Sequence, residues 1–129
     1  MMKALGKYQA EAYALLRIVS GFMFSFHGMQ KVLGWFTDGR AAFGSQMWVG
    51  GWIELAGGLA IAFGWLTRPA AFLCSGEMAV AYIQFHWKGQ LGDRLLPGVN
   101  HGEMALLYAF IFLLVATRGP GTWAVDRER

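Results

Sequence analysis

Between Leu106 and Leu114 the chain runs Leu-Leu-Tyr-Ala-Phe-Ile-Phe-Leu-Leu, apolar on every side of a helix. A helix at the surface of a soluble domain keeps a polar face at 3.6-residue spacing. That face is missing here, and nearly so at Phe22-Met23-Phe24-Ser25-Phe26. Similar stretches occur at 12–33, 49–66, 69–86 and 102–117. A membrane helix needs roughly 17–25 mostly apolar residues. The first three stretches meet this, and the fourth does so with help from Asn100 to Gly102. Four such helices cannot all be interior in a soluble chain of 129 residues. The expectation is an all-α protein: one domain over 1–129, a four-helix transmembrane bundle.

Composition agrees. Hydrophobic residues make up 56% and charged residues 15%, against about 25% charged in soluble domains. Eighteen glycines and only three prolines suit closely packed membrane helices. The six tryptophans fall near predicted span ends, at 35, 48, 52, 65, 87 and 123, where an indole meets both apolar chains and water. The excess of 11 Lys and Arg over 8 Asp and Glu includes no basic run or basic face, so no nucleic-acid partner is expected. The lone Cys74 excludes an internal disulfide and reads as a small packing residue. The basic N-terminus followed by apolar residues resembles a signal peptide without a cleavage site, and is taken as an uncleaved first span.

Local signals mark the ends. Thr67 is expected to cap the third span, with Pro69 in its first turn. Asn100 with Glu103 resembles a capping box, and Arg118-Gly119-Pro120-Gly121 stops the fourth span. Counting basic residues places Lys3, Lys7, Arg68, Arg118, Arg127 and Arg129 on one side. Lys31, Arg40, Lys88 and Arg94 fall on the other. The bias favours both termini in the cytoplasm.

Charges within the spans each need a reason. They are Arg17 and His27 in the first, Glu54 in the second and Glu77 in the third, with Lys31 and Glu103 at span ends. Arg17, Gly21, Phe24, Gly28 and Lys31 share one helical face, and Gly50, Glu54 and Gly58 another. Glu54 should lie roughly 9 Å below the outer surface. His27, Lys31, Glu54, Glu77, His86, His101 and Glu103 would then converge on one outward-facing pocket. Arg17 lies deeper, with Glu77 as its expected partner. Structural roles compete with this. Arg17 can fix register, Lys31 can snorkel, Glu103 can act as the capping acid, and His27 can bond a carbonyl. Axial histidines for a haem are conceivable only as His27 with His86 or His101. No Glu-x-x-His pair is present, and no metal is expected.

Several segments, taken in order, carry a resemblance. They are Leu16-Arg17-Ile18-Val19, Phe26-His27-Gly28-Met29-Gln30-Lys31, Trp52-Ile53-Glu54-Leu55-Ala56-Gly57-Gly58 and Gly64-Trp65-Leu66-Thr67-Arg68. Gly76-Glu77-Met78-Ala79-Val80-Ala81-Tyr82, Asn100-His101-Gly102-Glu103 and Arg118-Gly119-Pro120-Gly121 follow. In this order and spacing the chain resembles the DoxX family of small bacterial membrane proteins, from Leu15 to Asp126. The resemblance implies four spans in the inner (cytoplasmic) membrane. It also implies a redox association, because the family takes its name from a subunit of a quinone-linked oxidase of reduced sulfur.

The leading expectation is therefore a membrane subunit of an oxidoreductase system, which if catalytic is not autonomous, holding a quinone or similar amphipathic molecule. Glu54 and His27 would carry protons as catalytic residues. Arg17, Lys31, Glu77 and Glu103 would hold the cofactor. Its partners would be the lipid bilayer and either redox subunits or further copies of itself. A small-molecule or lipid-binding transport module and a non-catalytic scaffold stand as alternatives.

Overall fold

Glycines and one serine set the helix limits in the computed structural model, which describes residues 2–128. Met1, and Arg129 from the orientation count, lie outside the described residues. The short α1 (Met2–Leu5) and a 3-10 turn at Gly6–Tyr8 lead into α2 (Gln9–Leu33). α2 ends at Gly34, whose φ of 73° is the left-handed conformation that stops a helix. The Ser45 hydroxyl accepts from the Trp48 amide and starts α3 (Gln46–Phe63), which Gly64 closes in the same left-handed way. α4 (Thr67–Ala81) continues as a π-helical turn, Tyr82–Trp87. A 3-10 turn at Gly92–Leu95, α5 (Pro97–Asn100) and α6 (Glu103–Arg118) complete the chain. There is no strand among the described residues, so the all-α expectation holds.

α2 and α3 are antiparallel and touch through backbone. A Cβ at Gly21 would lie 2.6 Å from the Ala62 nitrogen and 2.7 Å from the Gly58 oxygen. Gly28 meets Gly51 in the same way one contact further along. Small residues are what allow such an approach. α4 packs on α6, and the Ser75 hydroxyl donates to the Ala109 carbonyl across that seam at 2.7 Å. Phe24 ties the two pairs together, with ring centroids 4.9 Å from Phe112 and 5.1 Å from Tyr108. The core continues through Ile61, Ala71, Cys74 and Val115, all wholly buried.

One end of the bundle is sealed by residues 119–128, which form a strap over it. The Val125 and Asp126 amides donate to Phe63 and Gly64, and the Tyr13 hydroxyl donates to the Gly119 carbonyl at 2.6 Å. Thr67 is not the cap expected of it. It is the first residue of α4, and both its amide and its hydroxyl donate to the Asp126 carboxylate at 2.8 Å. Partial burial pushes that carboxyl up, but the bonds from Thr67 and from the Leu66 amide outweigh it and hold Asp126 below its ordinary value. Arg68 caps the other direction, donating to Ala116, Thr117 and Arg118 carbonyls at the end of α6. Its bond to Glu128 holds that carboxyl low as well.

Among the described residues no helix is long and apolar enough to cross a membrane. α4 and α6 have 15 and 16 residues, or about 24 Å of helix at most against a hydrocarbon core of about 30 Å. α3 carries Glu54 within its 18 residues, and the 25 of α2 include Glu11, Arg17, His27 and Lys31. The fourth apolar stretch does not gain length from Asn100 to Gly102, because His101 turns left-handed at φ 62° and breaks the helix. Large apolar side chains are nonetheless exposed along all four long helices. Val19 and Met23, Trp52 and Phe63, Phe72 and Leu73, and Leu107 and Phe110 are examples.

Candidate binding cavity

At the end of the bundle opposite the strap the helices part around a cavity of about 770 Å³. That volume falls within the range of small-molecule sites. α2 supplies Phe24, His27 and Lys31, α3 chiefly Met47, Gly50, Ile53 and Glu54, and α4 Glu77, Met78 and Ala81. The π turn adds Phe85 and His86, and α6 with the turn before it adds His101, Met104 and Tyr108. The walls are mostly apolar, and methionines 47, 78 and 104 give an adaptable surface. Polar groups are few and grouped.

The centre of that group is an ion pair. Lys31 Nζ donates to Glu54 Oε1 at 2.6 Å, with the carboxylate 2% exposed and the lysine side chain 28%. Lys31 therefore does not snorkel to the surface; it turns inward to Glu54. The second oxygen, Glu54 Oε2, is buried with no hydrogen-bond partner. Glu77 Oε2 and the Tyr108 hydroxyl are in the same condition. Leaving such atoms unmatched costs about 1–3 kcal/mol each, which a proton shared between the neighbouring Glu54 and Glu77 carboxyls, or a bound polar group, would relieve. Gly50 makes room for the second acid: a Cβ there would stand 2.8 Å from Glu77 Oε1. His27 is half-buried, its ring edge-on to Tyr108 at 6.3 Å.

The π turn shapes the rim. A π-helix adds a residue to the turn and is frequent at functional sites. Here it carries Phe85 and His86 to the cavity, while Lys88 closes it by donating to the Ile83 carbonyl. At the rim, Gln46 and Gln84 exchange two hydrogen bonds, of 2.7 and 3.2 Å, linking α3 to the π turn. A smaller recess beside it is lined by Gln30, Lys31, Thr37, Arg40 and Ser45.

Of the residues expected to converge, His27, Lys31, Glu54, Glu77, His86 and His101 do line one cavity. Two expected residues are placed elsewhere. Arg17 does not pair with Glu77. It is wholly buried at the strap end, donating to the Ile61 and Ala62 carbonyls, both at 2.9 Å, and to those of Thr122 and Trp123 at 3.0 and 2.7 Å. The unpaired carbonyls at the end of α3 attract a guanidinium more strongly than a distant carboxylate does. Glu103 is exposed and lies outside the cavity lining. Nor does it share a capping box with Asn100. No side chain caps α6; Asn100 instead accepts from the Gly102 amide and donates to the Tyr82 hydroxyl and the Arg94 carbonyl.

Tyr108, the glutamine pair and the π turn were not expected. Tyr108 had one visible sign, as the only polar side chain within its apolar run. The other two depend on where α4 departs from α-helical geometry, which no local residue pattern announces. Among the described residues no group of three or more His, Cys, Asp or Glu is placed to hold a metal.

Comparison with known proteins identifies the family. A family model for DoxX matches residues 12–87, which takes in α2, α3, α4 and the π turn. An uncharacterized protein of Haemophilus influenzae is 41% identical, the alignment covering 98% of this chain and 97% of that protein. Inner membrane protein YqjF of Escherichia coli is 31% identical over 86% of each chain. No solved structure matches the chain. The cavity's ion pair and second acid all lie inside the segment that the family model covers, and the chain belongs to the DoxX family.

Proposed function

We propose that this DoxX protein is an inner-membrane bundle that holds an amphipathic ring of the quinone type, as a subunit of an oxidoreductase system. Embedding in the bilayer is supported by the exposed apolar side chains on every long helix and by the printed name of the Escherichia coli relative. Soluble monomers seldom expose more than a few hundred Å² of contiguous apolar surface. Where a helix falls short of the hydrocarbon core, local thinning or flanking polar residues can make up the difference. The strap end carries Lys3, Lys7, Arg68, Arg118 and Arg127, which favours the cytoplasm for both termini. Lys31 is spent on an ion pair within the bundle, so the opposite end has fewer free cations than the sequence suggests.

The observation that carries the ligand reading is the set of buried, unpartnered oxygens around the Lys31–Glu54 pair. Unmatched atoms also occur at Glu11 and Arg17, but around the Lys31–Glu54 pair three of them share one cavity. A ring with polar edges fits this cavity: apolar walls for its body, Lys31 as a donor, and Glu54, Glu77 and Tyr108 as partners for its oxygens. When bound, a quinone supplies reversible two-electron chemistry coupled to protons. Glu54 Oε2 and Glu77 Oε2 would hold those protons, with His27 beside them as a second carrier. Lys31 fixes the orientation of the Glu54 carboxylate. Arg17 has no part in this and holds the far end shut.

Glu54→Gln keeps the shape of the side chain and removes its charge. It should abolish quinone-dependent electron flow in inner-membrane vesicles without changing the folded yield. Undiminished flow in that variant would end the proton role of Glu54.

A further inference from the structure

A neutral ring leaves one property of the cavity unused. Two carboxylates, Glu54 and Glu77, face a single lysine, Lys31. The pair therefore either shares a proton or carries one negative charge more than Lys31 balances. Glu54 is 1% exposed with Oε2 unpartnered, so water does little to offset the charge. A buried charge without a partner is strongly disfavoured and draws in a counter-charge. The surroundings suit a large organic one. Phe24 and Tyr108 present aromatic rings, which attract cations over their faces, and Met47, Met78 and Met104 give polarisable walls. Apolar side chains at the rim, Val49, Val80 and Phe85, are about half exposed and give a cation with an apolar body a path in from lipid.

We propose that this cavity also binds lipophilic organic cations, the positive centre lying between Glu54 and Glu77 in exchange for one proton. The balance is simple: one cation enters and one proton leaves the carboxylate pair, with no electron transferred. The proposal uses the cavity of the preceding reading but does not depend on a quinone binding there. Other ionisable groups face the pair. They are Lys31 and His27 from α2, His86 from the π turn, His101 before α6, Tyr108 on α6, and Cys74 beside Glu77 on α4. Protonated histidines would repel a cation in the same pH direction, so their contribution has to be separated.

The test is titration of the purified full chain in lipid nanodiscs with tetraphenylphosphonium, with tetraphenylborate as the anion of matching shape. Tetraphenylphosphonium should bind saturably and tetraphenylborate should not. Its affinity should fall by up to about tenfold per pH unit as the pair takes up its proton. That dependence should persist with His27, His86 and His101 all changed to Gln. Lys31→Gln removes the competing cation and should tighten binding by about tenfold; Glu77→Gln should weaken it at least as much. Equal binding of the two ions, or a Lys31→Gln variant that binds tetraphenylphosphonium no better, overturns the proposal. A neutral short-chain quinone titrated into the same discs keeps the two readings apart, since either ligand can bind without the other.

Discussion

Replacing Arg17 by Met separates the strap end of the bundle from the cavity. Arg17 is wholly buried, and its guanidinium donates to four carbonyls. Thr122 and Trp123 belong to the strap, and their carbonyls turn to water if the strap lifts, so those two bonds cost little. The carbonyls of Ile61 and Ala62 lie at the buried end of α3 and have no such escape. A hydrogen bond to a charged group contributes about 1.5–3 kcal/mol, which gives roughly 3–6 kcal/mol for the pair. Methionine also removes a buried charge whose desolvation opposed folding, so the lower figure, about 3 kcal/mol, is the one to expect. In a total of about 5–15 kcal/mol that is a large loss. Thermal unfolding in micelles, followed by tryptophan fluorescence, should show a midpoint lower by roughly 10 °C. Trypsin should cut the variant after Arg118 well below that midpoint, because Gly119 and Pro120, buried in the parent, are no longer held against the bundle. Ligand binding at the cavity should be unchanged in folded protein. An Arg17→Met chain that melts within about 2 °C of the parent and resists trypsin equally would refute the capping role.

Gly58→Leu drives a side chain into the α2 backbone, where a Cβ alone would stand 2.7 Å from the Gly21 oxygen. The cost should exceed the 1–3 kcal/mol of ordinary overpacking, and yields of folded protein after detergent extraction should collapse. Asp126 has a lowered carboxyl value, so its contribution is fully present above the ordinary 3.8 and is lost as pH falls through the lower folded value. Strap protection, followed by an acid-tolerant protease, should hold at pH 5 and fail in strong acid, and Asp126→Ala should be weaker than the parent at pH 5 with the difference closing in strong acid. Gln84→Ala removes both bonds to Gln46 at the rim. Ligand association and release measured by stopped flow should each quicken several-fold, with little change in affinity.

Much of the architecture was legible because it rests on local signals. Apolar runs gave the four long helices, and Gly34 and Gly64 stand where two of them end. Small residues beside Glu54 pointed to the close α2–α3 contact, and helix-face geometry brought His27, Lys31, Glu54 and Glu77 together. Three of the failures share one cause. Arg17, Thr67 and Asn100 all have several feasible partners, and the true ones, Ile61 and Ala62, Asp126, and Tyr82, come from elements far away in sequence. Nothing local in residues 119–128 announces the strap, in which Asp126 caps α4 and the adjacent backbone closes onto α3. The length of the fourth helix was overestimated because hydropathy does not register the left-handed turn at His101.

The most direct test of the cavity's role is to extract the chain into native-lipid discs and measure co-purified quinone by mass spectrometry, for the parent and for Glu54→Gln. The account predicts near-stoichiometric quinone in the parent and its loss in the folded variant. Bulk phospholipid alone in the parent, or equal quinone in both, would contradict it.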